Sequence, residues 1–527
     1  MNQFTSKYAE SLRFVLSGFD RLVLRGSLRR FCFAEGLGMY LSSRKVLLKD
    51  FAAFVGGLTE RIKEASLAEA RTQDIPVQYV ASAAMNKEQL ARRCAQERGV
   101  REGPVCVLTS VEPCHSFDVY KNREKRRLEL VSRYRKCLHL YHYQMHPVFG
   151  FMHARLQTWF PFSIQVCLNG REWLARQLAE EGIGFRRQDN CVLEVADPAR
   201  AQALLEAQLR VNWPGLLDEI ARGLNPLHEE IFGDSHPGYY WSTHQSEWAT
   251  DLVFGDPPLL RRLYPRFIRH GMTTLLSPDV LRFLGRKIGP ADRIPSSFAG
   301  ELTSDVKVRA EGVRLKHALN GNSVKIYDKA YTDEVAVLRV ETTLNREEDF
   351  RVFRPKEGDP EGELAWRPLR RGVADQHRRA QVSQAANERY LEALASVETE
   401  ATLAELTVRL TQPVLWNGKP VRGLRPFAVE DTALLEAVSR GEFALNGLRN
   451  RDLQRLLFGP AEPATPQEAR RRSAQVTRKL RMLRAHGLLH KVPHTHRYQV
   501  SSLGREIITA LLTARHASVR QLLSAAA

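Results

Sequence analysis

Gly447-Leu-Arg-Asn-Arg-Asp-Leu-Gln-Arg-Leu-Leu-Phe458 and, after a break, Glu468-Ala-Arg-Arg-Arg-Ser-Ala-Gln-Val-Thr-Arg-Lys-Leu-Arg-Met-Leu-Arg-Ala-His-Gly-Leu-Leu489 decide how the C-terminal part of this chain folds. From about 469 to 486, Val476, Leu480 and Leu483 fall on one face at 3.6 residues per turn. Arg470, Ala474, Thr477, Arg478 and Arg481 fall on the opposite face. The apolar stripe is expected to bury against other helices, which leaves the basic stripe free to enter a major groove. Gly487 follows directly, where a helix end favours a left-handed residue. Lys491-Val-Pro and Arg497-Tyr-Gln-Val then alternate like two strands, with Pro493-His-Thr-His496 as the tip between them. Residues 441–510 carry thirteen Lys and Arg against five Asp and Glu. Cations in that excess gain affinity for DNA by releasing its condensed counterions.

These features together read as a winged helix-turn-helix over about 424–516, and the segment resembles the MarR-like winged-helix family. The resemblance implies recognition of duplex DNA, with Arg470, Thr477, Arg478 and Arg481 at the positions of a recognition helix. Arg471 on the same helix, and Lys491, His494, His496 and Arg497 in the wing, are the other expected DNA contacts, because basic groups there reach phosphate or the minor groove.

A chain of 527 residues is expected to hold several domains, and its 43% hydrophobic content suffices for real cores. Its formal net charge of +18 points to a polyanionic partner. No run approaches the ~20 apolar residues of a membrane span, and Met1-Asn-Gln-Phe-Thr-Ser-Lys lacks a signal peptide's apolar core. The expected place is therefore the cytoplasm, with no membrane partner. All seven cysteines lie between Cys32 and Cys191, none in a Cys-x-x-Cys pair, which argues for reduced, buried thiols rather than a zinc site.

The expected fold class is α/β: a mixed α+β body with a partly antiparallel sheet, followed by the winged helix. Residues 1–225 read as an N-terminal α/β domain. Strands are expected at 21–25, 76–80, 104–111, 136–143, 151–156 and 162–168. Helices are expected from Phe51 to Arg71, from an Asn86 cap, from Gly170 and from Pro198. Residues 226–353 read as a central domain. It has a strand at 238–244, a broken helical region from about Glu247 to Lys287, and a three-strand meander at 313–319, 323–329 and 335–343. Leu319-Asn-Gly-Asn322 is its hairpin signal. Residues 354–400 read as a linker and a polar bridging helix, chiefly a spacer.

The meander carries the first candidate for chemistry. Alternation puts Lys325, Tyr327 and Lys329 on one face, and Arg339 and Glu341 share a face of the third strand. Lysines lower a tyrosine's pKa and hold a phosphate, and Glu341 offers a ligand to a divalent cation. Cross-strand ion pairs on a solvated face are the plainer reading of the same charges. Lys-Ile-Tyr-Asp-Lys followed by Leu338-Arg-Val-Glu341 resembles the core of rolling-circle plasmid and phage replication initiators. That resemblance implies DNA nicking through a tyrosine with a metal, Mg²⁺ or Mn²⁺. Tyr327 fits the motif, Tyr331 lies four residues on in the turn, and the paired-histidine metal motif is missing. His139-Leu-Tyr-His142 is spaced so that its two rings point to opposite faces of a strand.

A second candidate is Glu247 and Asp251, which on a helix share a face and hold a metal together, with His244 nearby. Asp20 and Glu112 are isolated acids that would join a carboxylate cluster if the fold brought them together. His139, Tyr141, Tyr143 and Trp159-Phe-Pro-Phe162 suit stacking on single-stranded bases or, more plainly, a hydrophobic core. The expectation is a DNA-binding protein of a mobile element or plasmid that nicks or joins a strand. Duplex DNA, and single-stranded DNA at the cleavage step, are its partners, and a homodimer on two half-sites suits the fold. The alternatives are a non-enzymatic MarR-like regulator with a large ligand-binding body, and an RNA-binding factor.

Overall fold

The computed structural model describes residues 3–82, 85–233, 238–275, 277–285, 300–309, 312–356, 358–359, 361–395, 403–443, 447–459, 463, 465–492 and 495–519. The chain is mixed α and β, its strand pairs mostly antiparallel. It divides into two compact units.

The first unit comprises Ser17–Trp248 and Arg370–Ala380. Its strands are β1 (Leu12–Ser27), β2 (Val77–Tyr79), β3 (Gly103–Asn122), β4 (Arg127–His146), β5 (Gly150–Gln157), β6 (Ile164–Asn169), the small hairpin β7 (Phe185–Gln188) and β8 (Cys191–Val195), and β9 (Tyr240–Phe254). The order β1-β6-β5-β4-β3-β2 is antiparallel except for β2 against β3. The helices are α1 (Ala34–Ser43), α2 (Phe51–Thr72), α3 (Lys87–Glu97), α4 (Gly170–Glu180), α5 (Pro198–Ala207) and α6 (Trp213–Leu224). Caps start four of them. Asn86 accepts from the Gln89 N–H, Asn169 from Arg171 and Glu172, Asp197 from Arg200, and Asn212 from Gly215, each quenching amides that a helix start leaves open. The six strands expected between 21 and 168 each overlap one of β1–β6, although β2 is only three residues, β6 begins at Ile164, and β3 and β4 run on to twenty residues each. His139, Tyr141 and Tyr143 are buried, as are Phe160 and Phe162, so this group is core rather than a base-stacking surface. All seven cysteines are free thiols, five of them buried.

The second unit comprises Met1–Leu16, Ala249–Leu369 and Gln381–Ala527. Its meander is β10 (Leu302–Arg309), β11 (Gly312–Leu319), β12 (Asn322–Tyr331) and β13 (Ala336–Leu344), and β13 neighbours this unit's part of β9. Asn320 and Gly321 both have positive φ, 52° and 85°, as the two-residue turn between β11 and β12 requires. One face of the meander, with Leu315, Val324, Ile326, Leu338 and Val340, packs on α7 (Pro257–Thr273), α8 (Ser277–Phe283) and α9 (Gln376–Ala395). Residues 247–254, expected as helix, are strand: β9 runs on to Phe254 and helix begins only at Pro257. The expected linker holds a hairpin, β14 (Arg351–Arg354) with β15 (Ala365–Pro368). Nor is α9 a solvated spacer. Ser383, Asn387, Tyr390 and Leu394 are buried, and Asn387 donates to the Val340 carbonyl and to Thr250 while accepting from Thr342.

The C-terminal part of this unit has its own core. In chain order it holds α10 (Leu403–Thr411), the hairpin β16 (Val414–Trp416) and β17 (Lys419–Val421), α11 (Val429–Val438), α12 (Asn450–Phe458), α13 (Pro466–Ala485), β18 (Leu489–Lys491), β19 (Tyr498–Val500) and α14 (Ser502–His516). Thr465 caps α13 ahead of Pro466, and Ser501 caps α14. Leu448 exchanges backbone hydrogen bonds with Tyr498, a single antiparallel bridge beside β19.

Candidate nucleic-acid interface and polar strand faces

Helix α13 divides as its periodicity requires. Val476 and Leu483 are fully buried and Leu480 nearly so, against Leu434, Leu453, Ile508 and Leu511. Arg470, Arg471, Thr477 and Arg478 are exposed, and Arg481 is half-buried. Asn450 at the start of α12 donates to the Ser473 carbonyl and to Thr477 Oγ1, which ties the start of α12 to the middle of α13. Gly487 has φ of 74°, the left-handed conformation expected after the helix. Lys491 and His496 in the hairpin are exposed, and His494 lies outside the described residues. Arg497 is placed differently. Its guanidinium sits 4.1 Å from the Phe353 ring centre, with Arg449 at 5.6 Å from the same ring. Burial, then the neighbouring Arg449, lowers the Arg497 pKa. Arg497 therefore fixes the hairpin base to the β14 strand rather than facing outward.

The opposite face of the meander is polar. Lys325 lies across from Glu341 and donates to it at 2.6 Å, and Tyr327 lies across from Arg339. Burial lowers Lys316, which lies across from Lys325. Arg339 is almost fully buried and holds Asp251 through both Nε and Nη2, at 2.5 and 2.9 Å. Lys325, Tyr327 and Glu341 thus share a face as expected, but Lys329 does not join them. A bulge between Asp328 and Ala330 takes it out of the alternation. Tyr331 closes β12 rather than lying in the turn, and burial raises its pKa, the wrong direction for a nucleophile.

Glu247 and Asp251 are both on β9, so a strand rise of about 3.3 Å per residue holds them roughly 13 Å apart. They cannot grip one ion in the way a helical pair would. His244, three residues from Glu247, falls on the other strand face and is exposed. In the first unit Glu247 meets another acid instead: Asp20, in the middle of β1, has a carboxylate oxygen within 4.8 Å of one of Glu247. Asn190 donates to both Asp20 oxygens, and Gln245 donates to Glu247. Arg21, next in β1, feels Glu247 and Cys167. Two acids that approach so closely in a half-buried place offer adjacent oxygens to a hard divalent cation. Glu112 does not join them. It accepts from Tyr141 and pairs with Lys87 at 2.9 Å. Periodicity alone could not have found the Asp20–Glu247 approach, since it depends on which strands are neighbours.

Among the described residues, no helix is long and apolar enough to cross a membrane. No family model, curated protein or solved structure matches this chain.

Proposed function

We propose that this chain is a DNA-binding protein of a mobile element or plasmid, in which residues 424–516 act as a winged helix and α13 enters the major groove of duplex DNA. The observation that carries the reading is the division of α13: Val476, Leu480 and Leu483 bury while Arg470, Arg471 and Arg478 stand in solvent. The order of elements supports it. Helix α11, the Leu448 bridge, α12, α13, β18, β19 and α14 follow one another in the order of a helix-turn-helix with a β wing. A merely solvated basic face is the competing account. A mobility-shift assay with random duplex DNA, single-stranded DNA and duplex RNA as competitors decides. Duplex DNA competing best supports the proposal, duplex RNA competing best favours the RNA-binding alternative, and no retained nucleic acid overturns both.

The Asp20–Glu247 approach favours a further role, Mg²⁺- or Mn²⁺-dependent strand nicking. Supercoiled plasmid would then relax only with metal, and Glu247→Gln or Asp20→Asn would abolish relaxation. If the tyrosine route operates, a covalent protein–DNA adduct forms in the wild type and is lost in Tyr327→Phe. DNA retention without cleavage under any metal would leave a regulator, the non-enzymatic alternative.

A further inference from the structure

The second unit holds a partly open cavity of about 340 Å³ between the end of α8, the C-terminal part of α9, the end of α11, β18–β19 and α14. Its polar lining includes Arg282, Arg389, Arg440, Arg505 and His490 and, among the described residues, a single carboxylate, Glu392. Three of the arginines form ion pairs: Arg282 has Asp279 at 3.3 Å, Arg505 has Glu392 at 2.7 Å, and Arg440 has Glu442 at the longer 3.8 Å. Arg389 differs. Its Nε and Nη2 donate to the Phe283 carbonyl at 3.2 and 2.7 Å, and its buried Nη1 has no hydrogen-bond partner. Among the described residues it forms no ion pair.

The electrostatics follow from that arrangement. Burial brings Arg389 down to about 10 in spite of Glu388 and Glu392, with Arg282 adding to the fall, and burial raises Glu392 to about 7 in spite of Arg505. Near neutral pH the one acid among the described wall residues is therefore partly protonated while the guanidiniums stay charged. A buried guanidinium with an open N–H is a fixed, planar donor suited to an oxyanion. Phe283, Phe443 and Ile508 supply apolar wall between the charges.

We propose that this cavity is a binding site for a small organic anion. Its phosphate or carboxylate group seats against Arg389, Arg440 and Arg505, and its apolar body lies on Phe283, Phe443 and Ile508. The site does not depend on the DNA-binding reading, although β18 and β19 form part of its wall.

The test is calorimetric titration of the full chain with phenyl phosphate and, separately, benzoate, at constant ionic strength set by chloride. Saturable binding of one equivalent is expected from at least one probe. Phenyl phosphate alone identifies a phosphate site, and benzoate alone a carboxylate site. Arg389→Gln and Arg440→Gln should each weaken binding by about tenfold or more. Arg389 also holds the Phe283 carbonyl, so if Arg389→Gln melts early, Arg440→Gln decides. Arg471→Gln/Arg478→Gln on α13 should bind the probe as the wild type does. No saturable binding of either probe, wild-type affinity in Arg440→Gln, or loss of binding in the α13 variant would each overturn the proposal.

Discussion

Asp251 and Arg339 form the most deeply buried ion pair on the polar face of the meander, at 2% and 1% side-chain exposure. Removing one partner leaves the other charge in the interior, so Asp251→Asn should cost about 3–5 kcal/mol, measured by urea unfolding. Asp328 makes a prediction of the opposite sign. Burial raises its pKa from 3.8 to about 6. Below about pH 4 both folded and unfolded chains hold the proton. Between 4 and 6 only the folded chain does, so stability falls as pH rises through that window and stays reduced above it. Asp328→Asn should flatten that slope. It should also raise stability at neutral pH by about 1–2 kcal/mol, once the shift is discounted for water access. The Val313 N–H that donates to Asp328 Oδ1 keeps an acceptor in the amide. At this scale the sequence was legible where a residue's role follows from its own strand or helix, as with Asn86, Gly487 and the facing Lys325 and Glu341. It was illegible where a bulge displaced Lys329, or where neighbouring strands brought Asp20 to Glu247.

Among the elements, α13 was the most readable, because its apolar and basic residues separate at the helical period. Leu480→Ala should destabilise the unit that holds it by about 2–5 kcal/mol by opening a cavity, as thermal unfolding would register. Arg478→Ala should leave melting unchanged and weaken duplex binding by about 1–3 kcal/mol. Strand β9 and helix α9 misled for physical reasons. From Trp248 to Phe254 every residue of β9 is buried, so the period of two that marks a half-exposed strand is absent. Helix α9 looks polar because Ser383, Asn387 and Arg379 sit on it, yet these side chains are buried. Asn387 finds hydrogen-bond partners on β9 and β13, a complementarity that composition does not carry. The β14–β15 hairpin was hidden by the Pro, Gly and acidic residues of the long turn between its strands.

For the molecule as a whole, the net charge of +18 argues for a polyanionic partner, and α13 offers a specific place to put it. Three of the four crossings between the two units fall inside β1, β9 and α9, and only the one at Leu369–Arg370 lies in a loop. A division of that kind leaves no composition shift for a reader of the sequence to find. The proposed DNA affinity should depend steeply on salt, because each phosphate contact releases bound counterions. The most direct test of the central claim is fluorescence anisotropy of labelled duplex DNA against the full chain, repeated across a salt series, with Arg470→Gln/Arg471→Gln/Arg478→Gln beside the wild type. The account predicts an unchanged melting temperature, a loss of affinity of about a hundredfold or more, and a log–log salt slope shallower by up to about three. Wild-type affinity and slope in the triple variant would contradict it.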